Sequence, residues 1–485
     1  MLPGYARGSV SEIHDLSALR QAALFRSREL SPVDVVEHYL DRVQRLGDEV
    51  GAFITVTPEL ALQQARNAER RLRTEDPAHL PALLGLCVPI KDLDMVAGVR
   101  CTRGSRVFAD QVADADEGYV AALRRAGAVF LGKTNTPEFG LPCYTENEIA
   151  PPARTPWDTT RSAGGSSGGA AAAVAAGLAP FAQGSDGGGS IRIPASVCGL
   201  FGIKPTRGRV TSAPLRVDTL GLAVTGPLAR TVADAALLLD ALTLGDPADL
   251  FTAPPLPAGE TFLAAAHREP GRLRVACFAT PPLPEATVHP EVLAAYHATV
   301  RLLEELGHDV TEITPPFDGS HMRHFATVWA VTAAGIPVPA AAEHRLRPLT
   351  RWLRDRGQRT PAPVYLEAVG ELRRFARAAL AAFAPYDVVL TPTLALPPVP
   401  LGYFTASGDP ADEFEKMNAF TPFGNIANIT GQPAVNVPSG TTADGLPLGM
   451  MLLGRIGAEA TLISLSAQLE AARPWRDRTP EVWHR

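Results

Sequence analysis

In the first third of the chain, apolar positions recur at helical spacing. Residues 11–47 read as two helices, the second opening on Ser31-Pro32-Val33-Asp34: an N-cap, a proline at the first helical position and an acid in the first turn. Val36, Tyr39, Leu40 and Val43 fall on one face of it, and Gly47 is placed to end it. A short strand follows at Ala52–Val56, then a charged helix from Pro58 to Arg73. Between residues 84 and 250 the pattern changes, and short apolar runs alternate with Gly-rich turns and Ala-rich helices. Val129–Gly132 reads as a buried strand, and Ala170–Gly177 and Val232–Leu242 read as helices. Such alternation predicts an α/β fold built on a large, mostly buried mixed sheet.

Residues 253–271 are rich in Pro and Ala and read as a connector. A strand at Leu273–Phe278 and a helix at Glu291–Leu306 follow, and 320–384 is mostly helical with proline breaks. The tail returns to α/β, with a strand at Asp387–Leu390 and a helix at Leu462–Ala472. The expectation is a single domain over residues 1–485, with a helical excursion at 255–380 that caps a substrate cleft. No internal repeat or low-complexity segment interrupts it.

Composition narrows the partners. A net charge of −6 attracts neither phosphate backbones nor anionic lipid, so neither nucleic acid nor membrane is expected as a partner. The longest helix-like apolar stretch, Ala170 to Pro180, is too short to span a bilayer. The opening MLPGYARGSVSEIHDL has no apolar h-region, which predicts a chain without a secretory signal. Cys87, Cys101, Cys143, Cys198 and Cys277 are odd in number and widely spaced, matching neither a disulfide framework nor a zinc site. A reducing cytoplasm fits that usage, and no metal or cofactor is expected. The composition does not speak to oligomeric state.

Lysine usage is more informative. Of 45 basic residues only four are lysine, Lys91, Lys133, Lys204 and Lys416, and three of these lie between residues 91 and 204. Arginine stays protonated, whereas a buried lysine can lose its proton and act as a base. In the same region two serine sites sit in Gly-rich turns 24 residues apart, Ser166/Ser167 and Ser190. Gly187-Gly188-Gly189 before Ser190 can aim successive backbone amides at one oxygen, as an oxyanion hole requires. Gly-rich turns also serve tight packing alone, but two such serines beside a scarce lysine favour catalysis.

Several hydrolase designs compete. Gly165-Ser166-Ser167-Gly168-Gly169 matches the G-x-S-x-G nucleophile elbow, which would make Ser167 the nucleophile of an α/β-hydrolase-like esterase. That elbow follows an apolar strand, yet the preceding Trp157-Asp158-Thr159-Thr160-Arg161-Ser162 is polar and turn-like. No S-x-x-K and no H-E-x-x-H occurs.

The run GGSSGG-(x)₁₅-SDGGGSIRIPASVCGLFGIKPTRG, with IKD at 90–92 and GKTNTPEFG at 132–140, resembles the amidase signature family. The likeness continues through PWD at 156–158, LTPTLALP at 390–397 and ITGQPAVNVPSG…GLPLGMMLLGR at 429–455, nearly the whole chain. It implies an amidase signature fold, a large mixed twisted β-sheet flanked by helices on both faces. It also implies a serine hydrolase of amide-type C–N bonds with a Ser–cisSer–Lys triad: Lys91 as base, Ser166 on a cis peptide as relay, Ser190 as nucleophile. Burial is expected to favour neutral Lys91, as a base requires. The amides of Gly187, Gly188, Gly189 and Ser190 match the oxyanion hole. Asp186 and Arg192 are expected to brace that loop by a salt bridge, and Lys133, Lys204 and Cys198 to be structural.

Leu141, Pro142, Cys143 and Tyr144 lie where the family lines its substrate pocket. Two departures stand out: Gly187 replaces the Thr of the common SDTGGS, and Leu93 replaces the Asn of KDN. The latter is as in relatives resembling 6-aminohexanoate cyclic dimer hydrolases. The chain also resembles metagenomic urethanases of the family, which implies a small-molecule amide or aryl carbamate as substrate; Arg207 and Arg209 then either stand on a solvated turn or gate the cleft. The glutaminase subunit of a tRNA-dependent amidotransferase and a catalytically dead binding module are the competing readings.

Overall fold

The computed structural model describes residues 12–211, 213–214, 219–243 and 249–485. The expectations about the first eleven residues, including the missing h-region, lie outside the described residues.

Two sheets organise the chain. A small one joins β1 (Phe53–Val56), β2 (Ile90–Lys91) and β3 (Gly132–Thr134) in the order β1-β3-β2. The large one contains β4 (Phe181–Asp186), β5 (Phe201–Lys204), β6 (Val224–Ala229), β7 (Arg274–Cys277), β8 (Asp309–Glu312), β9 (Val388–Pro392), β10 (Ala434–Thr441) and β11 (Pro447–Gly454). Its order is β4-β6-β5-β10-β11-β9-β7-β8. Only the β9-β7-β8 edge is parallel, so the sheet is mixed, as expected. Most strand positions are buried, and helices flank the sheet, as the near-continuous apolar runs require.

The strand expected at Val129–Gly132 forms later, at Gly132–Thr134, and Val129 makes an isolated parallel bridge to Cys87. Within the expected connector, Phe262–Ala265 forms a short helix capped by the Thr261 hydroxyl. The region after residue 320 forms helices at His321–Ala334, Pro348–Gln358 and Ala362–Phe383.

The helix Gly168–Ala175 explains its own composition. Every residue in it is buried, and a Cβ on Gly169 would stand 2.3 Å from the Asn135 nitrogen and 2.5 Å from the Ala52 carbonyl oxygen. Side-chain bulk is excluded because this helix packs directly against backbone beside the small sheet.

Gly47 does not end the second helix. That helix runs Pro32–Val50, and Gly51 caps it in the left-handed conformation at φ 60°. Gly47 sits within the helix, packed against Val43, whereas a Cβ on Gly51 would lie 2.1 Å from the Pro152 carbonyl oxygen. The true stop needs both positive φ and space, which only glycine meets. Gly51→Ala is therefore expected to destabilise the protein by about 2 kcal/mol or more in urea unfolding. Gly98→Ala, at φ 76° with open space around the added carbon, should cost only about 1 kcal/mol.

Candidate active site

β2 ends in Lys91, and the strand's neighbours fix it in place. The Lys91 amide donates to Gln183 Oε1 at 2.8 Å, and Gln183 Nε2 donates to Asp94 Oδ2 at 3.0 Å. Lys91 is fully buried, and its Nζ lies 2.8 Å from Ser166 Oγ, 3.1 Å from Ser185 Oγ and 3.4 Å from the Ser185 carbonyl oxygen. The Gly165–Ser166 peptide is cis. Ser185 was not singled out from the sequence, although it stands in the SDGGGS run.

Ser167 stitches the two serine turns together. Its hydroxyl donates to the Ser185 carbonyl and accepts from the Ser185 amide, both at 3.2 Å, and its own amide donates to the Ser190 carbonyl at 3.1 Å. With no exposed surface and its hydroxyl so engaged, Ser167 serves as a fastener and does not suit the nucleophile of an elbow.

The glycine turn is held from behind by Asp186. Its carboxylate accepts from the Gly189 amide at 2.7 Å, the Ile191 amide at 3.2 Å and Arg192 Nη2 at 2.8 Å. Arg192 also reaches the Gly424 carbonyl and Asn428 Oδ1, and both charges are almost wholly buried. Burial alone would raise the Asp186 carboxyl, but the Arg192 charge and its hydrogen bonds hold it below the ordinary carboxylate range. The Gly189 N–H is thereby committed to Asp186. Of the four amides expected in an oxyanion hole, those of Gly187, Gly188 and Ser190 remain.

Ser166, Ser185, Gly187 and Ser190 share a cavity of about 640 Å³, within the range of small-molecule sites. Its walls include Leu93, Phe139, Leu141, Leu222, Trp329 and Tyr365, with Arg103 and Glu117 as charged members. A second, narrow chamber of about 50 Å³ contains Pro142, Cys143, Gly188, Ile193, Phe325 and Phe414. Leu141, Ser190 and Trp329 border both, so Ser190 stands where the two chambers meet. In the narrow chamber, Asn418, Thr421 and Asn425 add polar side chains to a largely apolar wall, and Thr421 Oγ1 is buried without a hydrogen-bond partner.

The structure relocates three anticipated contacts. Tyr144 turns away from both chambers: its hydroxyl bonds Glu413, and its ring stacks on Phe404 at 4.8 Å. Arg209 is also elsewhere, buried against Glu459 at 2.9 Å and over the Phe262 ring. A fully paired, buried guanidinium does not gate a cleft. Arg207 donates to the carbonyls of Gly221, Asn428 and Ile429, bracing the segment beside the wall residue Leu222.

The other lysines and cysteines have structural places. Lys133 pairs with Asp92 at 3.2 Å inside the protein, and Lys204 Nζ donates to the Pro205 carbonyl, its pKa pulled down to about 7 by burial. Cys198 is pushed up to about 12 by burial, and Cys143, though it borders the narrow chamber, is likewise pushed up. Neither thiol is poised as a thiolate. Among the described residues, Glu12, His14 and His38 are gathered closely enough to hold a cation, but they are not part of either chamber.

The model of the Amidase family matches residues 34–463. AmiB2 of Mycobacterium tuberculosis is 40% identical over 470 residues, covering 96% of this chain and 98% of that protein. The acylamidase of Rhodococcus erythropolis is 36% identical over 484 residues, with 96% of this chain and 98% of the relative covered. A solved structure of 6-aminohexanoate cyclic dimer hydrolase superposes with a TM-score of 0.89 at 32% identity, covering 98% of this chain and 100% of that one. The chain belongs to the amidase family and is a hydrolase of amide-type C–N bonds.

The Asp186–Arg192 pair yields a direct test. Arg192→Met strands a buried carboxylate and should cost about 3–5 kcal/mol in denaturant unfolding. Because the Asp186 pKa is depressed in the folded protein, its contribution is complete above the ordinary aspartate value of about 3.9 and is lost as pH falls below it. In Arg192→Met burial is left to raise the Asp186 carboxyl above its unfolded value, so the sign reverses: stability measured against pH should rise as pH falls toward about 4, where the wild type is still level.

Proposed function

We propose that the chain hydrolyses amides and aryl carbamates through an acyl-enzyme on Ser190, with Ser166 relaying the proton to Lys91. The observation that carries this reading is the 2.8 Å contact between a fully buried Lys91 Nζ and Ser166 Oγ, on a cavity that Ser190 also borders. Burial penalises a charged ammonium, so the site favours the neutral amine that can accept a proton. Ser166 both donates and accepts, which suits a relay. As Ser190 attacks the carbonyl, its proton passes to Ser166 while the Ser166 proton passes to Lys91. The amides of Gly187, Gly188 and Ser190 offer donors to the developing oxyanion, each worth about 10²–10³ in rate. The relayed proton then leaves with the amine, and water cleaves the acyl-enzyme.

With an aryl carbamate the same steps expel an arylamine first, and hydrolysis of the resulting carbonate ester releases carbon dioxide and the alcohol. An apolar cavity of about 640 Å³ bordered by Leu93, Phe139 and Trp329 supports an aromatic or long-chain substrate over a free amino acid. Residues 255–380 act in this reading as the cap, since Trp329 and Tyr365 from that region border the cavity. No helix among the described residues is long and apolar enough to cross a membrane, and a cytoplasmic location is part of the proposal.

The test is a panel of p-nitroanilides, aryl carbamates, fatty amides and glutamine, read for amine release by the purified chain. Turnover of anilides and carbamates without glutamine is expected; turnover of glutamine alone would favour the amidotransferase subunit. Ser190→Ala and Lys91→Ala should each lower kcat by about 10⁴-fold or more while the protein stays folded. Near-normal turnover in either variant contradicts the scheme.

A further inference from the structure

Two charged residues on the border of the larger chamber, Arg103 and Glu117, are not used by the catalytic scheme. Arg103 borders the chamber with its charged side chain half-buried. Among the described residues only Arg28, Arg103 and Phe139 adopt positive φ without being glycine, and Arg28 merely caps a helix. The other two border this chamber and are bonded to each other, the Phe139 amide donating to the Arg103 carbonyl at 2.8 Å. Left-handed backbone costs a side-chain-bearing residue about 1–3 kcal/mol and persists only where the surroundings enforce it.

Those surroundings lead back to the catalytic strand. The Arg103 amide donates to the Asp92 carbonyl at 3.0 Å, and the adjoining Thr102 amide donates to Asp92 Oδ2 at 2.9 Å. Gly104 lets this turn sit against the chain, since a Cβ there would lie 2.4 Å from the Thr136 carbonyl oxygen. The guanidinium lies over the Phe108 ring at 5.1 Å, and Phe108 in turn meets Phe139 edge-on. Arg103 is thus held beside Lys91 by the backbone of Asp92 and supported from below by an aromatic ring. That arrangement restrains a donor fork on the chamber's border.

We propose that Arg103 is a specificity-determining residue that reads an oxygen acceptor on the substrate beyond the scissile bond. Glu117, also on the chamber's border, makes a free carboxylate a poor occupant. The fitting group is neutral and dipolar: a second amide or carbamate carbonyl, as in bis-amides, bis-carbamates and short oligomers. This inference rests on the proposed amide and carbamate hydrolysis and adds the class of substrate preferred.

The test uses three p-nitroanilides of equal length whose far ends carry a methyl carbamate, an alkyl group or a carboxylate. Wild type should favour the carbamate tail over the alkyl tail by about 10–100-fold in kcat/KM, in keeping with hydrogen bonds to a charged donor. In Arg103→Met, which keeps the stem over Phe108, that ratio should fall to within about twofold of one, through KM more than kcat. Arg103→Lys should restore part of it. An unchanged ratio in Arg103→Met, no preference in wild type, or a preference for the carboxylate tail overturns the proposal. If wild type cleaves none of the three, the catalytic reading fails on its own. The tail preference is then read by calorimetric binding of the matching uncleavable ketones, where the same ratios apply.

Discussion

The site depends on burying one amine next to one hydroxyl. Lys91 has no exposed surface, and in the proposed mechanism the cost of carrying a charge there is what would make an ordinarily protonated group available as a base. Everything around it serves to hold that geometry. Gln183 grips the Lys91 backbone, Ser185 supplies two further oxygens to Nζ, and Ser167 ties the Ser185 backbone to the turn that carries Ser166. A small strand from one sheet, an edge strand of another and a helix of alanines and glycines converge there. The helix carries almost no side-chain bulk, and at Gly169 a Cβ would collide with the backbone of Ala52 and Asn135 beside the small sheet.

The second constraint is electrostatic. A turn of three glycines has little conformational preference of its own, so its shape must be imposed from outside. Asp186 imposes it by accepting two of the turn's amides, and Arg192 keeps that carboxylate charged in the interior. The loss of the Gly189 amide to this bracing is the consequence: one potential oxyanion donor is spent to aim the others.

The residues legible in the sequence were those whose role is written locally. Lys91 was conspicuous because lysine is scarce, and Ser166 and Ser190 because glycines surround them. The mixed sheet followed from apolar runs too continuous for an exposed face. Trp329, Phe325 and Tyr365 were not singled out, because an aromatic on a capping helix looks in sequence like any core residue. Arg103 was missed for a different reason: its positive φ comes from contacts with Asp92 and Phe139, neither of which is a neighbour in sequence. Tyr144 and Arg209 were misplaced because their partners, Glu413 and Glu459, lie about 250 residues or more away along the chain. Gly47 and Gly51 were confused because the space at Pro152, which decides between them, is tertiary.

The central claim is that the attacking oxygen belongs to Ser190 and depends on Lys91. The most direct measurement is peptide mapping by mass spectrometry after reaction with p-nitrophenyl N-butylcarbamate, which releases p-nitrophenol and leaves a slowly hydrolysed carbamoyl group on the nucleophile. The account predicts one carbamoyl group on Ser190 and none in Lys91→Ala protein within the same time. A label on Ser167, or equal labelling of the Lys91→Ala protein, would contradict it.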